Sequence, residues 1–280
     1  MTRNRGTPLN VTTPVRLWAP DGLAVTYYAQ RTTPGGLIIS EGIPPNLEGN
    51  GTPAVPGLFH ELQIPGWRAV VSAVHQRGGY IYAQIWHAGR ATLPHWTGRA
   101  AALSSSTTAF EGEHQSRYPP PDETGNPGSG QHVKFRDFPP AEMTHDQIKQ
   151  TIRDFVVMAK TAIHVCGFDG VEVHGGNGYL IEQFLSTNIN KRNDEYGSTV
   201  EGYCRFGLEL MQALAAEVGG SNVAIRLTPF GLFNQVRGQR RLEIWSHFCR
   251  ELKARVPDLS YIHFIEPVCT AVYPVNVTND

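Results

Sequence analysis

Two hydrophobic periods alternate along the chain. Short apolar runs such as Gly36-Leu-Ile-Ile-Ser40 recur between stretches whose apolar residues return every three or four positions. The first pattern predicts strands covered on both faces, the second amphipathic helices. Strands are predicted at 36–40, 80–86, 168–173, 223–227 and 261–265. A helix over 67–76 carries Trp67, Val70, Val71 and Val74 on one stripe and stops at Gly78-Gly79, glycine being suited to a helix C-terminus. Thr144 with Gln147 three residues on is a capping-box pattern. Ile148, Ile152, Phe155, Val156, Ala159, Ala162 and Ile163 then follow at helical spacing until Gly167. Two more helices are predicted near 201–218 and 242–256.

Strand and helix signals in alternation predict an α/β fold with a parallel sheet. There are about five such units where a closed (β/α)8 barrel needs eight, so the sheet is either open or part of a barrel. Residues 91–142 are dense in Ser, Thr, Pro and Gly and are expected to form a capping excursion without elements of their own, over one end of a single domain spanning 1–280.

Composition narrows the function. With 280 residues and 40% hydrophobic content the chain can bury a sizeable core. Its 24 basic residues against 25 acidic give a net charge of −1, which leaves no electrostatic footprint for nucleic acid or an anionic membrane. No apolar run approaches the roughly 18 residues of a membrane-spanning helix, and MTRNRGTPLN has no apolar signal core, so a cytoplasmic protein is expected. Cys166, Cys204, Cys249 and Cys269 are scattered, which points to buried thiols rather than a disulfide framework or a metal site.

In parallel α/β folds the chemistry sits at the C-terminal ends of the strands. There the chain places Ser40-Glu41-Gly42, Gln84 with Trp86-His87-Ala-Gly-Arg90, and Glu172 with His174-Gly-Gly-Asn177-Gly-Tyr179. Arg226 with Thr228-Pro229 and His263 with Glu266-Pro267 complete the set. A lone strand-end histidine is more often structural than catalytic, but convergence of several polar ends weakens that explanation. His174 and Asn177 on one glycine-rich turn can direct two donors at a single oxygen, as an oxyanion hole does. Tyr179 can give a proton to an adjacent carbon. Arg226 is either a structural partner for Glu172 or a cation beside a ligand that becomes anionic. Gln84 either satisfies backbone groups or reads a ring edge.

The ordered motifs MTRNRG, YYAQRTTPGGLIISEG, AQIWHAGR, GFDGVEVHGGNGYLIEQFLSTNINKRNDEYGS, VAIRLTPFG and YIHFIEP resemble the Old Yellow Enzyme family of flavin-dependent ene-reductases, from Met1 to about Pro267. The resemblance implies a barrel holding FMN, reduced by NAD(P)H, which delivers hydride to the β-carbon of an α,β-unsaturated carbonyl compound. It implies that His174 and Asn177 bind the carbonyl and that Tyr179 protonates the α-carbon. Gln84 and Arg226 would hold the pyrimidine edge of the flavin, Thr2 and Gly42 would add contacts to it, and Trp86 would shape the substrate pocket. The proline- and glycine-rich cap is more like biosynthetic members of the family.

The chain also departs from the family. A Glu-Asn-Arg that usually follows the Tyr-Gly-Gly-Ser motif reads Glu201-Gly202-Tyr203. Family members carry a first barrel strand before the position of Met1 and two further β/α units after the Glu-Pro motif. Those units bear the glycine-rich and Gly-Arg elements that grip the FMN phosphate, and the residues after Pro267 have none; without that nest FMN affinity falls. The expected fold is therefore an incomplete TIM-type (β/α)8 barrel lacking the first strand and the last two β/α units. Its open edges would be covered by a second copy or a partner chain. Three functions are compatible with the residues: an FMN-dependent ene-reductase, a flavin-independent isomerase or cyclase acting through His174, Asn177 and Tyr179, and a non-catalytic relative that binds a ligand or partner.

Overall fold

A computed structural model describes residues 7–8, 18–116, 118–122 and 130–266. Its centre is a five-stranded sheet, with β1 Leu37–Ile43, β2 Tyr80–Ile85, β3 Gly170–His174, β4 Val223–Leu227 and β5 Tyr261–Phe264. All neighbours are parallel and lie side by side in chain order. A parallel crossover is almost always right-handed. Because the order never reverses, successive crossovers set the helices on one face, the arrangement of a barrel wall rather than of a doubly wound sheet.

The helices are α1 Gly22–Arg31, α2 Ile64–His75, α3 His145–Lys160, α4 Leu180–Leu185, α5 Val200–Val218 and α6 Arg241–Arg255. α2 buries the Trp67, Val70, Val71 and Val74 stripe. The capping box at α3 is present: Gln147 N–H donates to Thr144 Oγ1 at 3.2 Å, and Thr144 N–H donates to Gln147 Oε1 at 2.8 Å. Helix α3 runs into a wider π turn, Thr161–Cys166, before Gly167 ends it. Side chains from β2, β3 and β4 that face the helices, Ile81, Ala83, Ile85, Val171, Val173, Val223, Ile225 and Leu227, are fully buried. Each such residue removes apolar surface from water, worth about 1.5–3 kcal/mol for a Val, Leu or Ile.

Two helices escape the sequence periodicity. α1 is opened by Asp21, whose carboxylate accepts from the Leu23 and Ala24 amides; only Ala24 and Tyr28 of its ten residues are buried, so its apolar stripe is too thin to register. α4 is only six residues long and buried all round, so it has no amphipathic pattern. The 91–142 segment does have elements, contrary to expectation. Pro94–Thr97 forms a helical turn, Phe135–Asp137 a 3-10 turn, and Leu103–Ser104 pairs with Ala141–Glu142. Leu93, Trp96, Phe110 and Phe135 make a small apolar cluster of their own. Cys166 and Cys204 are buried thiols and Cys249 is half-buried, whereas Thr2 and Cys269 lie outside the described residues. Among the described residues β1 and β5 are the edges of the sheet, and no helix is long and apolar enough to cross a membrane.

Candidate active site

Alternation puts a second, polar set of side chains on the face away from the helices. The register aligns Gly42 with Gln84, Gln84 with Glu172, His174 with Arg226, and Arg226 with His263. Every strand therefore contributes to one face, and the residues singled out in the sequence on β1 to β4 are brought together there.

Glu172 is fully buried at its middle. Its Oε1 accepts from Gln84 Nε2 at 2.7 Å. Its Oε2 accepts from Tyr261 Oη and lies beside His263 Nδ1, both at 3.1 Å. Glu172 thus takes neutral donors and an imidazole instead of the Arg226 partnership considered from the sequence. Arg226 keeps a buried Nε with no hydrogen-bond partner. Gln84 does not use its side chain on neighbouring backbone either; its Nε2 is committed to Glu172, which turns Oε1 away from that carboxylate.

At the C-terminal rim, burial first, then the charges of Arg226 and His263, push the His174 imidazole from its ordinary 6.5 down to about 3. It is neutral at physiological pH. Gly176 N–H donates to Nδ1 at 3.4 Å, which assigns the single ring proton to Nε2. The Asn177 Nδ2 amide lies 3.5 Å from that Nε2. Two N–H groups cannot satisfy one another, so the pair is set to share an outside acceptor. The Tyr179 ring packs edge-on against both Trp86 and His174, each at a centroid distance of 5.1 Å. Trp86 comes close to β1 because position 42 is glycine: a Cβ there would stand 3.2 Å from the indole. The indole N–H of Trp86 is buried without a partner.

Two residues support this rim in roles that the sequence does not show, Gln183 and the strand-end Arg90. Gln183, fully buried, donates Nε2 to Ala88 O at 3.1 Å and Gly178 O at 2.8 Å. Its Oε1 accepts from Arg90 N–H at 3.0 Å and Ser104 Oγ at 2.9 Å. One amide thus ties together the end of β2, the turn before α4 and the 91–142 segment. The Arg90 guanidinium donates to the carbonyls of Thr108, Ala109 and Asn234 and sits over the Phe110 ring, 4.4 Å from its centroid. Neither role is legible from residue type, because each acts mostly on backbone groups. Away from this face, His145, Asp194 and Glu195 come together at the surface. Asp194 there is already held by the Arg192 guanidinium, Nε to Oδ1 at 2.9 Å, which keeps its carboxyl well below the usual range.

The family model described as "NADH:flavin oxidoreductase / NADH oxidase family" matches residues 13–280. The chain is 41% identical over 254 residues to flavin oxidoreductase hxnT of Emericella nidulans, covering 90% of this chain and 61% of that protein. It is 37% identical over 248 residues to 12-oxophytodienoate reductase 1 of Oryza sativa subsp. japonica, covering 89% and 60%. It therefore spans about three fifths of the length of these relatives. Among solved structures, the old yellow enzyme homologue from Zymomonas mobilis superimposes with a TM-score of 0.80 at 29% identity, over 94% of this chain and 67% of that one. A morphinone reductase mutant in complex with tetrahydroNAD gives 0.80 at 31% identity, over 95% and 74%.

Proposed function

The chain belongs to the NADH:flavin oxidoreductase / NADH oxidase family, and from that premise we propose that it is an ene-reductase acting on α,β-unsaturated carbonyl compounds with FMN and NAD(P)H. The observation that carries this reading is the pairing of His174 Nε2 and Asn177 Nδ2, 3.5 Å apart, on the same face as a buried, unpartnered Arg226 Nε.

The residues of the polar face fit the ring of the flavin. Its pyrimidine edge offers a ring N–H between carbonyl oxygens. Gln84, with Nε2 engaged by Glu172, presents its oxygen as an acceptor for that N–H. Arg226 supplies an N–H and a fixed positive charge, which suits a ring that becomes anionic on reduction. Gly42 would offer its backbone to the flavin, while the space a Cβ would take there is filled by Trp86. Thr2, implied by the resemblance as a further contact, lies outside the described residues.

The chemistry that FMN would supply when bound is hydride transfer from NAD(P)H to the substrate β-carbon. The chain's own residues do the rest. His174 and Asn177 donate to the substrate carbonyl oxygen, whose charge grows as the hydride arrives, and a preorganised donor of this kind is worth on the order of 10²–10³ in rate. Neutral imidazole suits the task, because it binds the carbonyl as a donor without surrendering a proton to it. Tyr179 gives its phenolic proton to the α-carbon, which completes saturation of the double bond, and recovers one from solvent. Trp86, against the Tyr179 ring, limits how the substrate plane can lie.

The test is an absorption spectrum during FMN titration. The expected result is a bound flavin band that NAD(P)H bleaches and 2-cyclohexen-1-one restores. Protein that is folded yet binds no FMN, while still isomerising an enone, would overturn the redox reading.

A further inference from the structure

A buried carboxyl that the reaction above does not use lies directly beneath its donors. Glu182, on α4, is 2% exposed. Its Oε2 accepts from Gly178 N–H at 2.6 Å and from Thr228 Oγ1 at 3.1 Å. The same Thr228 oxygen accepts from Asn177 N–H at 2.7 Å. A hydroxyl has one proton, so accepting from Asn177 leaves that proton for Glu182. The chain is directional: Asn177 N–H to Thr228 O–H to a Glu182 carboxyl oxygen.

The segment it holds needs holding. Asn177 and Gly178 are consecutive left-handed residues, with φ of 55° and 67°. Glycine is required at 178, since a Cβ would stand 2.6 Å from both Asn234 Cβ and Phe233 O. For asparagine the left-handed conformation costs on the order of 1 kcal/mol, sustained only where the surroundings fix it. The carbonyls are fixed by amides, Asn177 O by Asn234 Nδ2 at 2.9 Å and Gly178 O by Gln183 Nε2 at 2.8 Å. The N–H groups are fixed by Glu182, directly and through Thr228.

Stability alone does not explain a carboxyl here. Burial disfavours its ionised form. Its charged neighbour Arg241, on α6, directs Nε and Nη2 to the carbonyls of Gly238 and Val236 instead. An acceptor that reaches two N–H groups of one turn, one of them through Thr228, is what the position supplies.

We propose that Glu182 is a positioning residue which, with Thr228, fixes the 177–179 turn so that the Asn177 amide and the Tyr179 phenol meet the substrate together. This rests on the ene-reductase reading. A misplacement of about 1 Å at reacting groups costs on the order of 10²-fold in rate, so loosening this one turn affects both carbonyl binding and proton delivery.

The experiment compares Glu182→Leu, Glu182→Gln and Thr228→Val in FMN-loaded protein with 2-cyclohexen-1-one. Glu182→Leu and Thr228→Val are expected to lower kcat/KM by roughly 10- to 100-fold and to weaken enone binding measured by calorimetry, while FMN affinity stays within about twofold. Glu182→Gln keeps an acceptor oxygen and is expected to recover most of the loss, which a merely space-filling role would not give. Folded Glu182→Leu with wild-type kcat/KM and enone affinity overturns the proposal. Should that variant not fold, Thr228→Val, which alters no charge, decides on the same readouts. If wild-type protein neither binds FMN nor reduces the enone, the functional reading fails by itself. The positioning claim is then judged by the Gly178 amide proton: a far-downfield resonance lost in Glu182→Leu and largely kept in Glu182→Gln supports it, and an ordinary one in the wild type overturns it.

Discussion

The two faces of the five-stranded sheet are built from the same strands, often from adjacent residues, and obey different rules. On one face Ile81, Val171, Val173, Ile225 and Leu227 are fully buried hydrocarbon against the helices. On the other, Gln84, Glu172, His174, Arg226, Tyr261 and His263 are polar, and the buried Nε of Arg226 is left without a partner in the protein. A face that serves only folding has no reason to keep an orphaned guanidinium N–H, because an unmade buried hydrogen bond costs about 1–3 kcal/mol. The contrast separates what holds the chain together from what it does, and it can be broken experimentally one face at a time.

The largest effect is expected on the hydrocarbon face. Val173→Asp buries an unpaired carboxylate against the helices, a cost comparable with the roughly 5–15 kcal/mol that holds a domain folded. Urea titration followed by circular dichroism should show no cooperative transition. A folded Val173→Asp protein would mean that this face is not the core.

Next comes the polar rim. His174→Ala combined with Asn177→Ala removes both donors and is expected to lower kcat for enone reduction by on the order of 10²–10³. The urea midpoint should move far less than in any hydrocarbon-face variant. Equal losses of stability and rate would erase the distinction between the faces. Arg226→Ala is a step smaller. Losing a hydrogen bond to a charged group is worth about 1.5–3 kcal/mol, so FMN should bind roughly 10- to 100-fold more weakly by fluorescence titration. Unchanged FMN affinity would remove Arg226 from the cofactor site.

The hydrocarbon face was the legible one. Strand β4 matches its expected bounds, and the Trp67–Val74 stripe of α2 is buried as its spacing predicts. Apolar periodicity reports burial against a neighbour whatever the neighbour's identity. The polar face was legible only as residue types at strand ends. The register that joins His174 to Arg226 and Gln84 to Glu172 depends on strand pairing across long separations. Glu182 and Gln183 stayed hidden, and Arg90 showed only as a strand-end residue type, for a further reason: their partners are mostly backbone groups, in the neighbouring turn or far along the chain, and backbone groups have no sequence signature. α4, which carries two of the three, is too short and too uniformly buried to show a period.

The smallest expected effect separates the faces by proton linkage. Burial pushes the Glu182 carboxyl from its ordinary 4.5 up to about 8. Between those values the folded state holds a proton that the unfolded chain has lost, so this group makes stability fall as pH rises, by at most about 1.4 kcal/mol per pH unit. His174 and His87, both lowered to about 3 chiefly by burial, have the opposite sign. The unfolded chain binds their protons below 6.5, so stability is lost as pH falls from 6.5 towards 3. Above that value those two histidines are neutral in both states and drop out. The comparison to make is the urea midpoint of wild type against Glu182→Gln at about pH 6.5 and about pH 8. The gap should widen in the variant's favour at the higher pH, with Arg241, the charged neighbour of Glu182, limiting its size. Val70→Ala, on the hydrocarbon side, should differ from wild type by the same amount at both pH values. A Glu182→Gln gap that also stays constant would mean that the carboxyl under the active turn is ionised throughout this range, and that the two sides of the sheet differ in hydrogen bonding but not in how they hold protons.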